Sequence, residues 1–298
     1  MNEKQKQKFI EAGKIAVEVK KYAREIIKPG MLLLEIAEKI ESKIIELGGK
    51  PAFPTNLAIN DEAAHVTPAY NSEDKSHGLL KIDLGVHIQG VVADTALSID
   101  LENSNENKKI IEAAEEALSK AIEKIKSNPK HITLSQIGKI IEDTINSKNL
   151  TPIINLSGHS IEEYNLHAGT SIPNTDTGSN KTLASGVYAI EPFATNGNGK
   201  VYDGKPSGIY LLQTPKNVRS PLARDVLDYI IEEYDTLPFC QRWIIKKFGT
   251  RGLIALNELE KNKIIHHYEQ LIESGHGKVA QAEHTILIDG DEVTVTTE

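Results

Sequence analysis

Sulfur is scarce in this chain: its 298 residues contain one cysteine, Cys240, and two methionines. A lone thiol cannot close an internal disulfide, and no CxxC pattern exists, so the composition fits a reducing compartment or a simply disulfide-free protein. Positive charge is also short. Thirty-four Lys and Arg stand against 42 Asp and Glu, for a net charge of -8 and a pI near 5.7. That balance lacks the basic footprint of a nucleic-acid or anionic-membrane binder. No run of about 18 apolar residues occurs anywhere, which excludes an ordinary spanning helix. The N-terminal MNEKQKQKFIEAGKIAVEVKK is too charged for a signal peptide. A soluble, cytoplasmic protein is the expectation. A phosphate loop is missing too, because glycine-rich NGNGKVYDG lacks both the Lys-Ser/Thr ending and the strand-to-helix context.

What is there suffices for a large core, since 39% of the residues are hydrophobic. Gln5 to Ile27 has helical periodicity up to the KPG break, and Ile36, Ile40, Ile44 and Leu47 continue it until Gly48 and Gly49. A second helical pair carries Ile110, Ala114, Leu118, Ile122 and Ile125, then Leu134, Ile137, Ile141 and Ile145. Strand-like segments follow at 155–160, 187–193 and 281–288, the last turning at Asp289 and Gly290 into a closing strand. Two helices followed by strands therefore occur twice, which predicts an α+β fold with a loose internal duplication. Residues 196–263 change character, with a flexible glycine-rich start and then three helical stretches. An interruption this long predicts an inserted helical subdomain.

Between the first strands and the second helical pair lies GLLKIDLGVHIQGVVADTALSID. Leu80, Ile82, Leu84, Val86 and Ile88 alternate with Lys81, Asp83, Gly85, His87 and Gln89, the period of a half-buried strand with Asp83 on its polar face. A hairpin centred between Ile88 and Gln89 would set Asp83 directly opposite Asp94. Like charges so placed destabilise a sheet unless a cation sits between them. A solvated hairpin carrying two acids by chance is an equally good reading of this spacing alone.

His159 in NLSGHSI, Glu191 in GVYAIEPF and Glu283 in VAQAEHTILI also sit in strand-like settings. Each alone is a strand-end polar residue, and solvent exposure accounts for any one of them. Together with the aspartates they form a hard-oxygen set with one imidazole, enough for two divalent ions and a shared water of lowered pKa. Such a site hydrolyses. His65 before Pro68 and His167 before Gly169 sit in turns from which a side chain can reach into a cleft.

Six stretches, AFPTNLAINDEAAHVTP, KIDLGVHIQGVVADTA, NLSGHSIEEYNLHAG, YAIEPFATNGNG, TLPFCQRW and AEHTILI, carry a resemblance along nearly the whole chain. The chain resembles the type II methionine aminopeptidases in their short archaeal form. The resemblance implies the α+β pita-bread (creatinase/aminopeptidase) fold with pseudo-two-fold halves, one catalytic domain over residues 1–298 and the helical insert within it. It implies a methionyl aminopeptidase that removes the N-terminal methionine of nascent proteins, preferring a small second residue. By resemblance Asp83 serves one of two divalent ions, His159 and Glu191 the other, and Asp94 and Glu283 bridge them. Co, Mn, Fe, Zn and Ni all suit such a donor set.

The same likeness implies that hydroxide held by the metals attacks the first peptide bond, with Glu191 accepting a proton and His65 and His167 contacting the substrate. Phe53, Leu166, Ile209 and Tyr268 are implied to surround the methionine side chain, Ile209 standing where the vertebrate type II enzymes carry histidine. The family habit is a monomer, and action on nascent chains implies transient ribosome contact. Two alternatives stay in view: a proline-directed peptidase of the same fold, and a paralogue that binds protein or RNA without metal.

Overall fold

Apolar residues recurring every three to four positions make the chain begin with two helices that bury one stripe each. In a computed structural model, which describes residues 2–298, these are α1 (Glu3–Ile26) and α2 (Leu33–Glu46). Asn2 and Gln5 cap α1 reciprocally, satisfying backbone donors that the first turn leaves free. Short strands β1 (Lys50–Pro51), β2 (Asn56–Ile59) and β3 (Glu62–Ala64) precede a long hairpin of β4 (Leu79–Ile88) and β5 (Val91–Asp100). The second helical pair is α3 (Asn105–Ser127) and α4 (Leu134–Ser147). Strands β6 (Thr151–Pro152), β7 (Ser157–Ile161), β8 (Ser171–Pro173), β9 (Gly186–Ile190), β10 (Phe193–Thr195) and β11 (Val201–Leu212) follow. Then come α5 (Pro221–Glu233), β12 (Phe239–Cys240), α6 (Gln241–Phe248) and α7 (Gly252–Lys261). Strands β13 (Ile265–Glu273), β14 (Val279–Gln281), β15 (His284–Asp289) and β16 (Glu292–Val295) close the chain.

The same layering occurs twice. In the first half Val19, Ile36, Ile40 and Ile44 of α1 and α2 pack on Leu57, Ile82, Leu84 and Val86. In the second, Ile110, Leu118, Ile137 and Ile141 of α3 and α4 pack on Tyr188, Ile190, Ile286 and Ile288 of a sheet ordered β16-β15-β9-β7-β8. Helices α5 to α7 hold a third core around Val226, Ile230, Phe239, Ile244 and Leu256. This excursion leaves from β11 and returns through β13, and those two strands pair with each other.

The structure departs from three sequence expectations. The hairpin register sets Gly85 opposite Asp94 and Asp83 opposite Ala96, so the aspartates are diagonal neighbours on one face. The turn residues are Gln89 at φ +51° and Gly90 at φ +83°. A turn at Ile88 and Gln89 would force a β-branched side chain into the left-handed region, whereas a glycine accepts it freely. The strand is also not half-buried: Lys81 and His87, on its polar set, are buried with the apolar set. The Lys81 ammonium donates to the carbonyls of Asn60 and Val279, both at 2.9 Å, because the second half of the chain covers this face. Finally, much of the glycine-rich stretch expected to be flexible is strand β11, whose pairing with β13 shifts register on either side of Pro206.

Candidate active site

Each half contributes one face of a central cavity of about 370 Å³. From the first half, β4 and β5 supply Asp83 and Asp94. From the second, β7 supplies His159, Glu191 follows β9, and Glu283 precedes β15. Because β9 and β15 pair with His284 opposite Ile190, the two glutamates leave adjacent strand ends side by side.

Hydroxyl side chains stitch the two sheets together where the ligand-bearing strands meet. The Asp94 N–H donates to Thr285 Oγ1, whose hydroxyl donates back to the Asp94 carbonyl, both at 2.8 Å. Thr95 Oγ1 donates to the Glu283 carbonyl at 2.8 Å, and Ser98 makes the same kind of reciprocal link with the backbone of Gln281. These bonds set the depth of Asp94 on β5 and of Glu283 between β14 and β15. Threonine does this well at positions 95 and 285 because its β-branching restricts its rotamers.

All eleven side chains singled out in the sequence line this cavity: Phe53, His65, Asp83, Asp94, His159, Leu166, His167, Glu191, Ile209, Tyr268 and Glu283. Asp94, His159 and Glu283 offer donor atoms that all lie within 4.8 Å of one another. His159 Nε2 is 3.6 Å from both Asp94 Oδ2 and Glu191 Oε1. Burial raises the Asp83 carboxyl from 3.8 to about 7. Asp94, Glu191 and Glu283 are pushed well above the usual range, first by burial and then by the neighbouring carboxylates. Burial lowers the His159 imidazole to about 3, helped by His167, and lowers His167 to about 4.

Four carboxyls crowded out of water are costly by themselves. Asp83 Oδ1, Asp94 Oδ1 and His159 Nδ1 are buried without a hydrogen-bond partner among the described residues. Hard oxygens plus one neutral imidazole, converging and under-satisfied, fit divalent cations.

Around this set the two other histidines hold fixed places. His65 follows β3 with φ +57°, a conformation histidine adopts more readily than most residues, and its ring lies 5.1 Å from that of Tyr268. His167 packs edge-on against His159, ring centroids 4.4 Å apart. Both are neutral donors at ordinary pH, because burial lowers each of them.

Sequence reading passed over Gln281, although it lies two residues before Glu283. Its buried Nε2 is 3.3 Å from Asp83 Oδ2, 3.3 Å from Glu191 Oε2 and 3.4 Å from Glu283 Oε2. An amide has two N–H groups for these three acceptors, so it is a shared neutral partner of the acids. Asn56, directly opposite Asp83 on β2, and Asn155, Ser157 and Pro238 also line the cavity. Nothing in their local pattern marks them.

The description of metallopeptidase family M24 matches residues 7–289. A methionine aminopeptidase of Methanocaldococcus jannaschii is 46% identical over 294 residues, covering 98% of each chain. Among solved structures, a thermophilic Arx1 superposes with a TM-score of 0.84 at 15% identity, over 99% of this chain and 91% of that one. The methionine aminopeptidase of Thermotoga maritima superposes with a TM-score of 0.70 at 21% identity, over 100% and 98%.

Proposed function

The chain belongs to metallopeptidase family M24, and from that premise we propose which of its residues carry the reaction. It is a hydrolase of pita-bread fold that removes N-terminal methionine and uses divalent metal. Our reading assigns two ions to Asp83, Asp94, His159, Glu191 and Glu283, with Asp94 and Glu283 shared. The observation that supports it is the convergence of these buried donors between the two halves, with several of their atoms unpartnered. Bound there, the cations supply Lewis-acid polarisation and lower the pKa of water.

The protein's own groups do the rest. Glu191 takes the proton of the attacking water and returns it to the leaving amine. The neutral His167 donates its N–H to the carbonyl oxygen as negative charge develops there. His65 donates toward the scissile amide from its turn beside Tyr268. Phe53, Leu166, Ile209 and Tyr268 take the methionine side chain, a pocket that discriminates by about 1 to 3 kcal/mol per methylene. The reading includes a preference for a small second residue.

The proposal extends to nascent chains as substrate, to a cytoplasmic monomer with transient ribosome contact, and to the α5–α7 excursion as part of one catalytic domain. No described helix is long and apolar enough to cross a membrane. Metal content and peptide turnover test the reading together. Metal-reconstituted protein should release methionine from Met-Ala-Ser and lose that activity, with its metal, in Asp94→Ala and Glu283→Ala. Preference for Ala-Pro peptides, or turnover unaffected by either substitution, would overturn it.

A further inference from the structure

Away from the metal ligands, a buried ion pair joins α2 to α6. Arg242, at the start of α6, meets Glu41 of α2 through two parallel hydrogen bonds of 2.7 and 2.9 Å, and both side chains are buried. Trp243 Nε1 donates to the same carboxylate at 2.9 Å. A bidentate fork of this kind restricts direction as well as distance.

Its remaining bonds all go to chain segments that end in the cavity. Glu41 accepts the Thr55 N–H at 3.2 Å, two residues after Phe53. Arg242 donates through Nε to the Pro68 carbonyl and through Nη2 to Thr67 Oγ1, each at 3.3 Å, three and two residues after His65. Thr67 in turn donates to the Thr55 carbonyl at 2.9 Å, tying the two segments to each other. On its other side Arg242 follows Cys240, which pairs with Ile209, and Pro238. Phe53, His65, Ile209 and Pro238 all line the cavity, and they come from separate stretches of chain.

We propose that the Glu41–Arg242 pair is a positioning device through which the helical excursion holds the methionine pocket and His65 in register. It rests on the function proposed above and adds residues that touch neither metal nor substrate. The helical excursion is then more than a cover: its α6 end orients a wall built by the first half. A buried charge pair is weak evidence for stability, and replacing both partners by apolar residues commonly leaves a fold intact. Removing only one leaves the other charge buried and unpaired.

The test compares wild type with the double variant Glu41→Leu/Arg242→Met and with Thr67→Val, all loaded with Mn2+. In the folded double variant, metal affinity should stay within about twofold while kcat/KM on Met-Ala-Ser falls about tenfold or more, through both KM and kcat. With diamagnetic Zn2+ in place of Mn2+, the His65 imidazole resonances should shift as well, a readout independent of turnover. Kinetics and His65 resonances both matching wild type would overturn the proposal. If the double variant does not fold, Thr67→Val decides: its melting midpoint should hold while kcat/KM drops about threefold or more, and unchanged kinetics would refute positioning. Wild-type protein without methionine release would instead refute the functional reading, and the His65 resonances would still decide this one.

Discussion

Replacing Asp83 by asparagine should stabilise the metal-free protein at neutral pH while weakening its response to metal. In the folded chain burial raises this carboxyl from 3.8 to about 7, so the native state holds a proton that the unfolded state releases. A group raised in this way contributes stability that is fully present below about pH 4 and is lost as pH climbs to about 7. At 1.36 kcal/mol per pH unit, the loss is about 4 kcal/mol by pH 7 to 8. Asparagine has the same shape and cannot ionise, so the variant avoids this loss. The stability difference should therefore be near zero at about pH 4 and approach about 4 kcal/mol by pH 8.

Other groups titrate in that interval, notably His159 and His167, with pKa values near 3 and 4, and Lys81, near 7. They are common to both proteins and largely cancel in the difference. Removing the Asp83 charge also relieves Asp94, which adds in the same direction. Urea denaturation of chelator-stripped wild type and Asp83→Asn at pH 5, 7 and 8 measures the effect. Added Mn2+ at about 100 times its Kd should then stabilise wild type by about 2.7 kcal/mol and the variant by much less. An asparagine variant that is less stable than wild type without metal at pH 7, or a difference that does not change with pH, would refute the electrostatic account.

Three other substitutions separate the parts of the site. His65→Ala should keep metal affinity and lose about 100-fold or more in kcat, measured by metal titration and steady-state kinetics on one preparation. Gln281→Leu leaves three carboxylates without their shared amide and should weaken metal binding about 10- to 100-fold by calorimetric titration. Gly85→Ala would drive its methyl into the Phe53 ring and to 2.9 Å from Ala52 Cβ. Its KM for Met-Ala-Ser should rise about tenfold with metal affinity unchanged, since only the pocket wall moves.

Local pattern revealed some elements and hid others. Helices α1 to α4 were legible because their stripes are long and periodic, and the β4–β5 hairpin because ten-residue strands alternate on either side of a glycine turn. Strand β11 was not, since Asp203, Gly204, Lys205 and Pro206 break its alternation and β13 supplies the pairing from more than fifty residues away. The hairpin register was misplaced by one position per strand because spacing alone does not weigh the φ > 0 demand of a two-residue turn. Gln281 and Arg242 escaped for a related reason: each acts through partners remote in sequence.

By itself the sequence determined the class of the protein. It supplied the hard donors, the two helix-helix-strand halves and the stretches by which the chain resembles its family. Those are properties of residue type and order, and they survive without coordinates. Tertiary structure alone decided that the polar face of β4 is buried, because only docking of the second half removes it from water. The same docking raises the carboxyls and gathers donors more than 180 residues apart. It also joins α6 to the wall that holds Phe53 and His65 through a single buried ion pair.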